Sequence, residues 1–261
     1  MQPNGPSTQP FDGVGETLSK VPALTILFWL IKIAATTLGE TAGDAVSMSM
    51  DLGYLLGSVI FTVIFIVAVT AQISSRKFHA GLYWSTIVAT TTVGTTLADY
   101  ADRSLGIGYA GGTAILLGLL LVSLAVWYYT LGSIAVDTVS TPKSELFYWV
   151  TIMFSQTLGT ALGDWTADTQ GLGYGAAAII FGSMLALIAI AYYRTKLSRT
   201  LLFWSAFILT RPLGAVVGDF LDKPVEEGGL ELSRYSASAV LLILMVIGIA
   251  LSPRKAASRA H

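Results

Sequence analysis

The sequence predicts an all-α integral membrane protein with eight transmembrane helices, built from four parallel two-helix repeats. Only 12% of the 261 residues are charged, about half the share of an ordinary soluble domain. That is too little charge to cover a surface facing water, and the mean hydropathy is +0.69. Several apolar segments reach the roughly 20 residues that a bilayer core requires. One pattern of residues also returns four times along the chain, which indicates internal repetition.

The repeat is marked by a tryptophan that follows another aromatic residue. A glycine lies ten residues after each tryptophan, and an aspartate lies fifteen residues after it. The tryptophans are Trp29, Trp84, Trp149 and Trp204; the glycines are Gly39, Gly94, Gly159 and Gly214; the aspartates are Asp44, Asp99, Asp164 and Asp219. The fixed spacing in four copies predicts one membrane domain, residues 22–252, with repeats at 22–75, 76–137, 138–195 and 196–252.

Each repeat is expected to form a helix, a short loop and a second helix. The predicted helices cover residues 22–43, 52–73, 80–98, 107–131, 146–163, 172–192, 200–218 and 235–252. Because each repeat crosses the membrane twice, all four start on the same side and are related by an axis along the membrane normal. A pseudo-fourfold bundle and a two-plus-two bundle both satisfy this rule. Residues 1–21 are expected to form a flexible tail and residues 253–261 a basic tail.

Lysine and arginine are concentrated at one end of the predicted helices. Ten of them lie in the tails and between repeats, whereas the loops inside the repeats hold three, Arg103, Lys223 and Arg234. The positive-inside rule therefore places both termini and both tails in the cytoplasm. The tryptophans are expected to anchor the helices at the inner interface. Each repeat aspartate then lies about 22 Å further along its helix, in the outer part of the membrane.

Polar residues in the first helix of each repeat fall on one face. The positions seven, eleven and fifteen residues after the tryptophan are four residues apart and form a line. The four lines are Thr36, Glu40, Asp44; Thr91, Thr95, Asp99; Gln156, Thr160, Asp164; and Arg211, Ala215, Asp219. A carboxylate at this depth is costly when it faces lipid. The four lines are therefore expected to converge on a shared interior.

This interior predicts a cation site. The four repeat aspartates are the candidate metal ligands, and the expected pathway adds Glu40, Thr36, Thr95, Thr160 and Gln156. Oxygen ligands favour hard divalent ions such as Mn²⁺, Mg²⁺ and Ca²⁺. Such an ion is expected as a substrate, without a tightly bound cofactor.

Two bases and three further acids accompany the four lines. Arg211 is expected to pair with Glu40, and Lys32 is a second base for charge pairing or coupling, because an unpaired charge in the membrane is expensive. Asp102, Asp168 and Asp222 follow the repeat aspartates by three or four residues. They are expected either to form an outer vestibule that concentrates cations or to be ordinary solvated loop acids.

These features predict a membrane transporter of cations, by efflux or exchange of a divalent metal such as manganese. Clustered acids and bases also suit exchange against protons. The alternative is a non-transporting scaffold or sensor, whose repeat aspartates cap helix N-termini and pair with Lys or Arg. The expected partners are the lipid bilayer and the inorganic cation, and a homo-oligomer is compatible with the sequence.

Several other classes are disfavoured. An enzyme is not expected, because no H-E-x-x-H motif, nucleophile elbow or Cys–His combination occurs. Cysteine is absent, which excludes disulfides and thiolate chemistry. The 15 Lys and Arg residues nearly balance the 16 Asp and Glu residues, so no nucleic-acid partner is expected.

The four tryptophans, with the glycine and aspartate that follow each, resemble a family of bacterial membrane proteins. That family is defined by four tandem copies of a repeat of unknown function, with two transmembrane segments and a characteristic tryptophan per copy. The resemblance extends from about Pro22 to Ser252. It implies a location in the bacterial inner membrane and brings no activity with it.

Overall fold

A computed structural model describes residues 19–169, 171–253 and 256–257. Within these residues the chain forms eight α-helices and no β-strand, which confirms the all-α prediction. The helices are α1 (Ile26–Asp44), α2 (Gly53–Ser74), α3 (Ala80–Asp99), α4 (Tyr109–Leu131), α5 (Pro142–Asp164), α6 (Gly173–Arg194), α7 (Arg199–Asp222) and α8 (Arg234–Leu251).

Local signals set the helix ends that differ from the prediction. The first helix begins at residue 26 instead of 22 because the Thr25 side chain accepts a hydrogen bond from Phe28 N, an N-cap. The fifth helix begins four residues early, since Thr141 and Ser144 form a reciprocal capping box with Pro142 at the first helical position. The fourth helix ends at Leu131, as predicted, and is followed by Gly132, whose left-handed conformation (φ 76°) suits glycine.

The first three repeats share a widened turn directly after their repeat aspartate. The α-helix ends at the aspartate and continues as one π-helical segment, at Ala45–Ser49, Tyr100–Ser104 and Trp165–Thr169. In the fourth repeat α7 continues without this turn to Asp222. Such π-helical turns occur often at functional sites.

The odd-numbered helices form a closed ring in which α1 contacts α3, α3 contacts α5, α5 contacts α7 and α7 contacts α1. Each even-numbered helix packs outside this ring, against the odd helix of the next repeat: α2 on α3, α4 on α5 and α6 on α7. The last helix, α8, packs on α1 and closes the cycle. This arrangement corresponds to the pseudo-fourfold alternative.

Six helices are long and apolar enough to cross a membrane, namely α1, α2, α4, α6, α7 and α8. The chain is thus a multi-pass membrane protein by the length and composition of its helices. The outer helices carry large exposed apolar side chains such as Val63, Leu121 and Ile179, as expected of a surface that contacts lipid. In contrast, α3 is less apolar because six of its twenty residues are threonine, and five of these six lie among its fully or almost fully buried residues from Thr90 to Thr96.

Small residues bring neighbouring ring helices close together. A Cβ atom added to Gly94 would lie 3.0 Å from the main chain of Gln156 and Thr157. The three equivalent glycines meet the corresponding position of the next repeat: Gly39 contacts Thr91, Gly159 contacts Arg211, and Gly214 contacts Thr36. Each glycine therefore lies against the first residue of the next repeat's polar line.

Three of the four repeat tryptophans are buried inside the domain, whereas the sequence predicted that all four anchor the helices at the membrane interface. Trp84, Trp149 and Trp204 are at most 3% exposed. The aromatic residue before one tryptophan packs on the tryptophan of the next repeat, with ring centroids 5.3–6.2 Å apart, and Trp29 contacts Phe203 to close the circle. Together these residues form an aromatic layer that fills one end of the ring.

The two tails that the sequence predicted lie largely outside the described residues. Their described residues are 19–21, 253, 256 and 257, of which 19–21 and 257 are packed against the domain. Val21 is 1% exposed, Lys20 Nζ lies 2.6 Å from Glu145, and Ala257 N donates to Val21 O at 2.8 Å. The ordered domain therefore begins before residue 22.

Gly94→Ala is expected to destabilise the fold by about 1–3 kcal/mol, because the new methyl group meets main-chain atoms of α5 that cannot turn aside. Thermal unfolding of the purified protein in detergent measures this change. Gly118→Ala is the matched control, since Gly118 is also helical but has nothing within 4 Å of an added Cβ. Equal melting temperatures for the two variants would contradict the close approach of α3 and α5.

Candidate functional site

The polar lines predicted from the sequence form layers inside the ring. We number each layer by how many residues its members lie after the tryptophan of their repeat. Layer 3 contains Lys32, Ile87, Ile152 and Phe207; layer 7 Thr36, Thr91, Gln156 and Arg211; layer 11 Glu40, Thr95, Thr160 and Ala215; layer 15 Asp44, Asp99, Asp164 and Asp219. All sixteen side chains are at most 3% exposed. Successive layers lie about 6 Å apart along the helices.

Arg211 connects all four ring helices. It is fully buried, and its Nη2 lies 2.9 Å from Glu40 Oε2, so the pair suggested by the sequence is formed. The same nitrogen donates to Thr95 Oγ1 at 2.6 Å and to Thr160 Oγ1. The other guanidinium nitrogens donate to main-chain carbonyls of α1 and α5 at 3.3 and 3.2 Å. The guanidinium therefore fills the centre of the ring between layers 7 and 11.

The other polar groups of layers 3 and 7 differ in how they are satisfied. The Thr36 hydroxyl lies within 3.1 Å of three main-chain carbonyls. The Gln156 amide has no hydrogen-bond partner among the described residues. Lys32 Nζ is also without one and lies 4.2 Å from the centre of the Phe207 ring, a cation–π contact.

In layer 15 one lysine bridges two of the repeat aspartates. Lys223 Nζ donates to Asp44 Oδ2 and lies 3.1 Å from Asp219 Oδ1. Lys223 follows directly after the apolar segment Arg199–Asp222. Burial lowers the pKa of Lys223, but the carboxylates of Asp219 and Asp44 raise it more, so the net direction is upward. Lys223 therefore contributes a positive charge between the two carboxylates.

The other two repeat aspartates share an arginine. Arg103 Nε lies 3.0 Å from Asp99 Oδ1, and its Nη2 lies 3.4 Å from Asp164 Oδ2. The guanidinium is also near the Tyr109 ring, 5.8 Å from its centre. Layer 15 is thus divided into two aspartate pairs, each bridged by a base from the second or the fourth repeat.

One of these pairs belongs to a larger group of acids. Glu40, Asp44 and Asp219 are all buried, and each offers an oxygen that lies within 4.8 Å of the other two. Oxygen ligands about 2.1–2.5 Å from one ion are at most about 5 Å apart, so this group fits a hard divalent cation. Two of the four expected metal ligands are therefore brought together with Glu40, whereas Asp99 and Asp164 lie around Arg103.

A family of repeats matches the chain four times, at residues 27–78, 82–133, 147–198 and 202–256. The family is described as a repeat of unknown function, DUF347. The chain belongs to this family. The DUF347 matches correspond to the four repeats expected from the tryptophan spacing, and they confirm the resemblance. No curated protein and no solved structure matches the chain.

The DUF347 repeats of this chain differ at the position four residues after the aspartate. That position holds Met48, Arg103, Asp168 and Lys223 in the four repeats. The sequence-based prediction assigned Arg103 and Lys223 to loops and did not include them in the site. Their i,i+4 spacing from Asp99 and Asp219 is the signal that could have identified them. Arg234, at the start of α8, was also missed and lies 3.3 Å from Asp222.

Of the three acids expected in an outer vestibule, one is exposed and two are buried. Asp168 is exposed and accepts a hydrogen bond from Tyr109 Oη at 3.2 Å. Asp102 is 7% exposed and packs against Gly112, and Asp222 is 5% exposed and pairs with Arg234. Two of the three are therefore buried and are not solvated loop acids.

The capping role suggested for the repeat aspartates is not observed where the cap is described. The side chains of Asp44 and Asp99 make no capping hydrogen bond. Pairing with Lys and Arg, the other part of that alternative, is observed for all four aspartates. Six carboxylates and four bases surround layers 11 and 15, which leaves a formal charge of −2; they are Glu40, Asp44, Asp99, Asp164, Asp219, Asp222, Arg103, Arg211, Lys223 and Arg234.

Arg211→Met is expected to destabilise the protein by about 3–5 kcal/mol, because Glu40 loses its buried counter-charge. Adding Glu40→Gln to Arg211→Met removes that charge and is expected to recover part of the loss. Thermal unfolding of both variants and of Glu40→Gln alone gives the coupling energy. Arg194→Met, at an exposed position at the end of α6, is the control. Strictly additive effects of the two substitutions would contradict the pairing.

Proposed function

We propose that this protein is a membrane carrier of a hard divalent cation, such as Mn²⁺, and that it works by efflux or exchange. The observation that carries the proposal is the buried group of Glu40, Asp44 and Asp219, with an oxygen of each within 4.8 Å of the other two. Asp44 Oδ1 in this group has no hydrogen-bond partner among the described residues. Buried carboxylates within a membrane domain usually belong to an ion or substrate pathway.

The chemistry of the ligands favours a hard ion. The group offers carboxylate oxygens, and the Thr95 hydroxyl of layer 11 lies next to it, 3.3 Å from Glu40 Oε2 and 3.2 Å from the Gly39 carbonyl. Cysteine, the ligand that selects Cu⁺ and favours Zn²⁺, is absent from the chain. Mn²⁺, Mg²⁺ and Ca²⁺ are therefore the cations to test.

The contacts along the axis support a carrier and not an open channel. Toward the tryptophans, the axis is filled by Arg211, by layer 3 and by the aromatic layer. Toward the other end, Lys223, Arg103 and Arg234 contact the aspartates. A cation can pass only if these two barriers open. If they open alternately and never together, the membrane does not leak. The clustered acids also suit exchange of the cation against protons.

All eight helices cross the membrane in this proposal. The ring helices α3 and α5 have 20 and 23 residues, which corresponds to about 30 Å or more. Their polar side chains are tolerated because α2 and α4 pack against them and the ring encloses their polar faces. The charge bias of the loops supports a cytoplasmic position of both termini, and the family resemblance supports the bacterial inner membrane as the location.

Single cysteines test this topology, because the native chain has none. Lys77→Cys and Thr138→Cys are expected to react with an impermeant maleimide from one side of the membrane, and Ser104→Cys from the other. All three positions are exposed. Labelling is compared between right-side-out and inverted vesicles. Reaction of Lys77→Cys and Ser104→Cys from the same side would contradict a membrane-spanning α3.

A second candidate function is a non-transporting scaffold or sensor. The bridging of the repeat aspartates by Arg103 and Lys223 favours it, because paired charges can join helices without taking part in transport. A scaffold has no affinity for a cation at this group. Cation binding therefore distinguishes the two functions.

Mn²⁺ is expected to raise the melting temperature of the metal-free purified protein. At a free Mn²⁺ concentration of 100 times the dissociation constant, the expected gain in the free energy of unfolding is about 2.7 kcal/mol. Asp44→Asn is expected to abolish this shift, because it removes a ligand charge. Asp51→Asn, the same substitution at an exposed loop position, is expected to leave it unchanged. Mg²⁺ and Ca²⁺ titrations rank the ions.

Proteoliposomes with a Mn²⁺-quenched dye inside then separate transport from binding alone. Transport predicts quenching with the native protein and none with Asp44→Asn. An unchanged melting temperature at all ion concentrations, with Asp44→Asn still folded, would favour the scaffold.

A further inference from the structure

The group of Glu40, Asp44 and Asp219 already contains a cation that belongs to the chain. The Lys223 ammonium bridges Asp44 and Asp219 and is 3.9 Å from Met48 Sδ. An ammonium and a metal ion at this position would interact with the same carboxylates at a few ångströms' separation, and their like charges repel. The two cannot occupy the group together.

We infer that Lys223 is a built-in competitor for the cation site, which must leave before a divalent ion can bind. This inference rests on the proposed function, and it names the regulation of the same site. Lys223 offsets part of the negative charge of Asp44 and Asp219 while the ion is absent. It also sets the affinity of the site, since the ion has to displace a group that is always present.

The two bridged aspartate pairs differ in a way that assigns this role to Lys223 and not to Arg103. Arg103 is held by two carboxylates and by the Tyr109 ring, and its planar guanidinium is suited to fixed, multi-point contacts. Lys223 places a point charge on a flexible four-carbon chain. Glu40 adds a third carboxylate only on the Lys223 side.

The surroundings of Lys223 allow its side chain to leave while its main chain stays in place. The residue is the first after α7 and has extended backbone angles (φ −75°, ψ 156°). Its main chain is fixed at both groups, since its N donates to Asp219 O and its O accepts from Glu231 N, each at 2.9 Å. Asp222 lies beside it, and Asp222 Oδ1 has no hydrogen-bond partner among the described residues. A displaced ammonium therefore has a nearby acceptor outside the site.

Lys223→Met tests the inference, because methionine keeps the length of the side chain and removes the charge. The half-maximal Mn²⁺ concentration for thermal stabilisation is expected to fall at least tenfold relative to the native protein. Lys223→Arg, which keeps the charge on a group that makes more contacts, is expected to raise it. Arg103→Met, the same change at the other aspartate pair, is the matched control and is expected to shift it less than threefold.

The outcomes separate this inference from the proposed function. If the native protein and Lys223→Met bind Mn²⁺ equally well, the inference is wrong and the cation site stands. If neither of them binds Mn²⁺, Mg²⁺ or Ca²⁺, the proposed function fails and the inference with it. If Lys223→Met does not fold, Lys223→Gln replaces it with the same expected direction, and weaker binding by Lys223→Gln would overturn the inference. If Lys223→Met binds Mn²⁺ and the native protein does not, this result would support the inference directly.

Discussion

The close approach of the four ring helices is the constraint on which the rest of the structure depends. Glycine at the same position of every repeat removes the side chain that would separate neighbouring helices, and the gap is filled by the polar line of the next repeat. Small residues serve this purpose in many membrane proteins. Because the ring is narrow, the polar side chains of all four helices meet each other and no lipid. A single guanidinium, Arg211, is consequently able to contact every one of them.

Charge breaks the fourfold symmetry that the packing establishes. The aspartates are repeated, but the bases that bridge them come from the second and fourth repeats alone, and Glu40 and Arg211 occur once each. Layer 15 has an approximate twofold arrangement as a result, with one lysine side and one arginine side. The repeats thus supply a common framework, and a few single-copy residues give one side of it a distinct chemistry.

Much of this could be predicted from the sequence because the information was periodic. The tryptophan spacing identified the repeats, and the spacing of four residues placed Glu40 and Arg211 on converging faces. Periodicity does not tell which neighbour a face meets, so the packing of α2 on α3 and of α8 on α1 was not foreseen. It also cannot distinguish a tryptophan at a membrane interface from one in an aromatic layer, since both end an apolar segment. Arg103 and Lys223 were assigned to loops because they follow the predicted helix ends at residues 98 and 218. In the structure these helical segments continue to Ser104 and Asp222.

The packing of α8 on α1 has a consequence for how the protein is made. A ribosome delivers the first helix long before the last, so α1 enters the bilayer without the neighbour that covers its outer face. Its contact with α7 also waits for the fourth repeat. The fold has a high contact order at the one seam where its two ends meet, even though all other neighbours are close in sequence. Closure of the ring is therefore a late event of biosynthesis, and until then the buried charges of α1 depend on partial assemblies or on the insertion machinery for shelter.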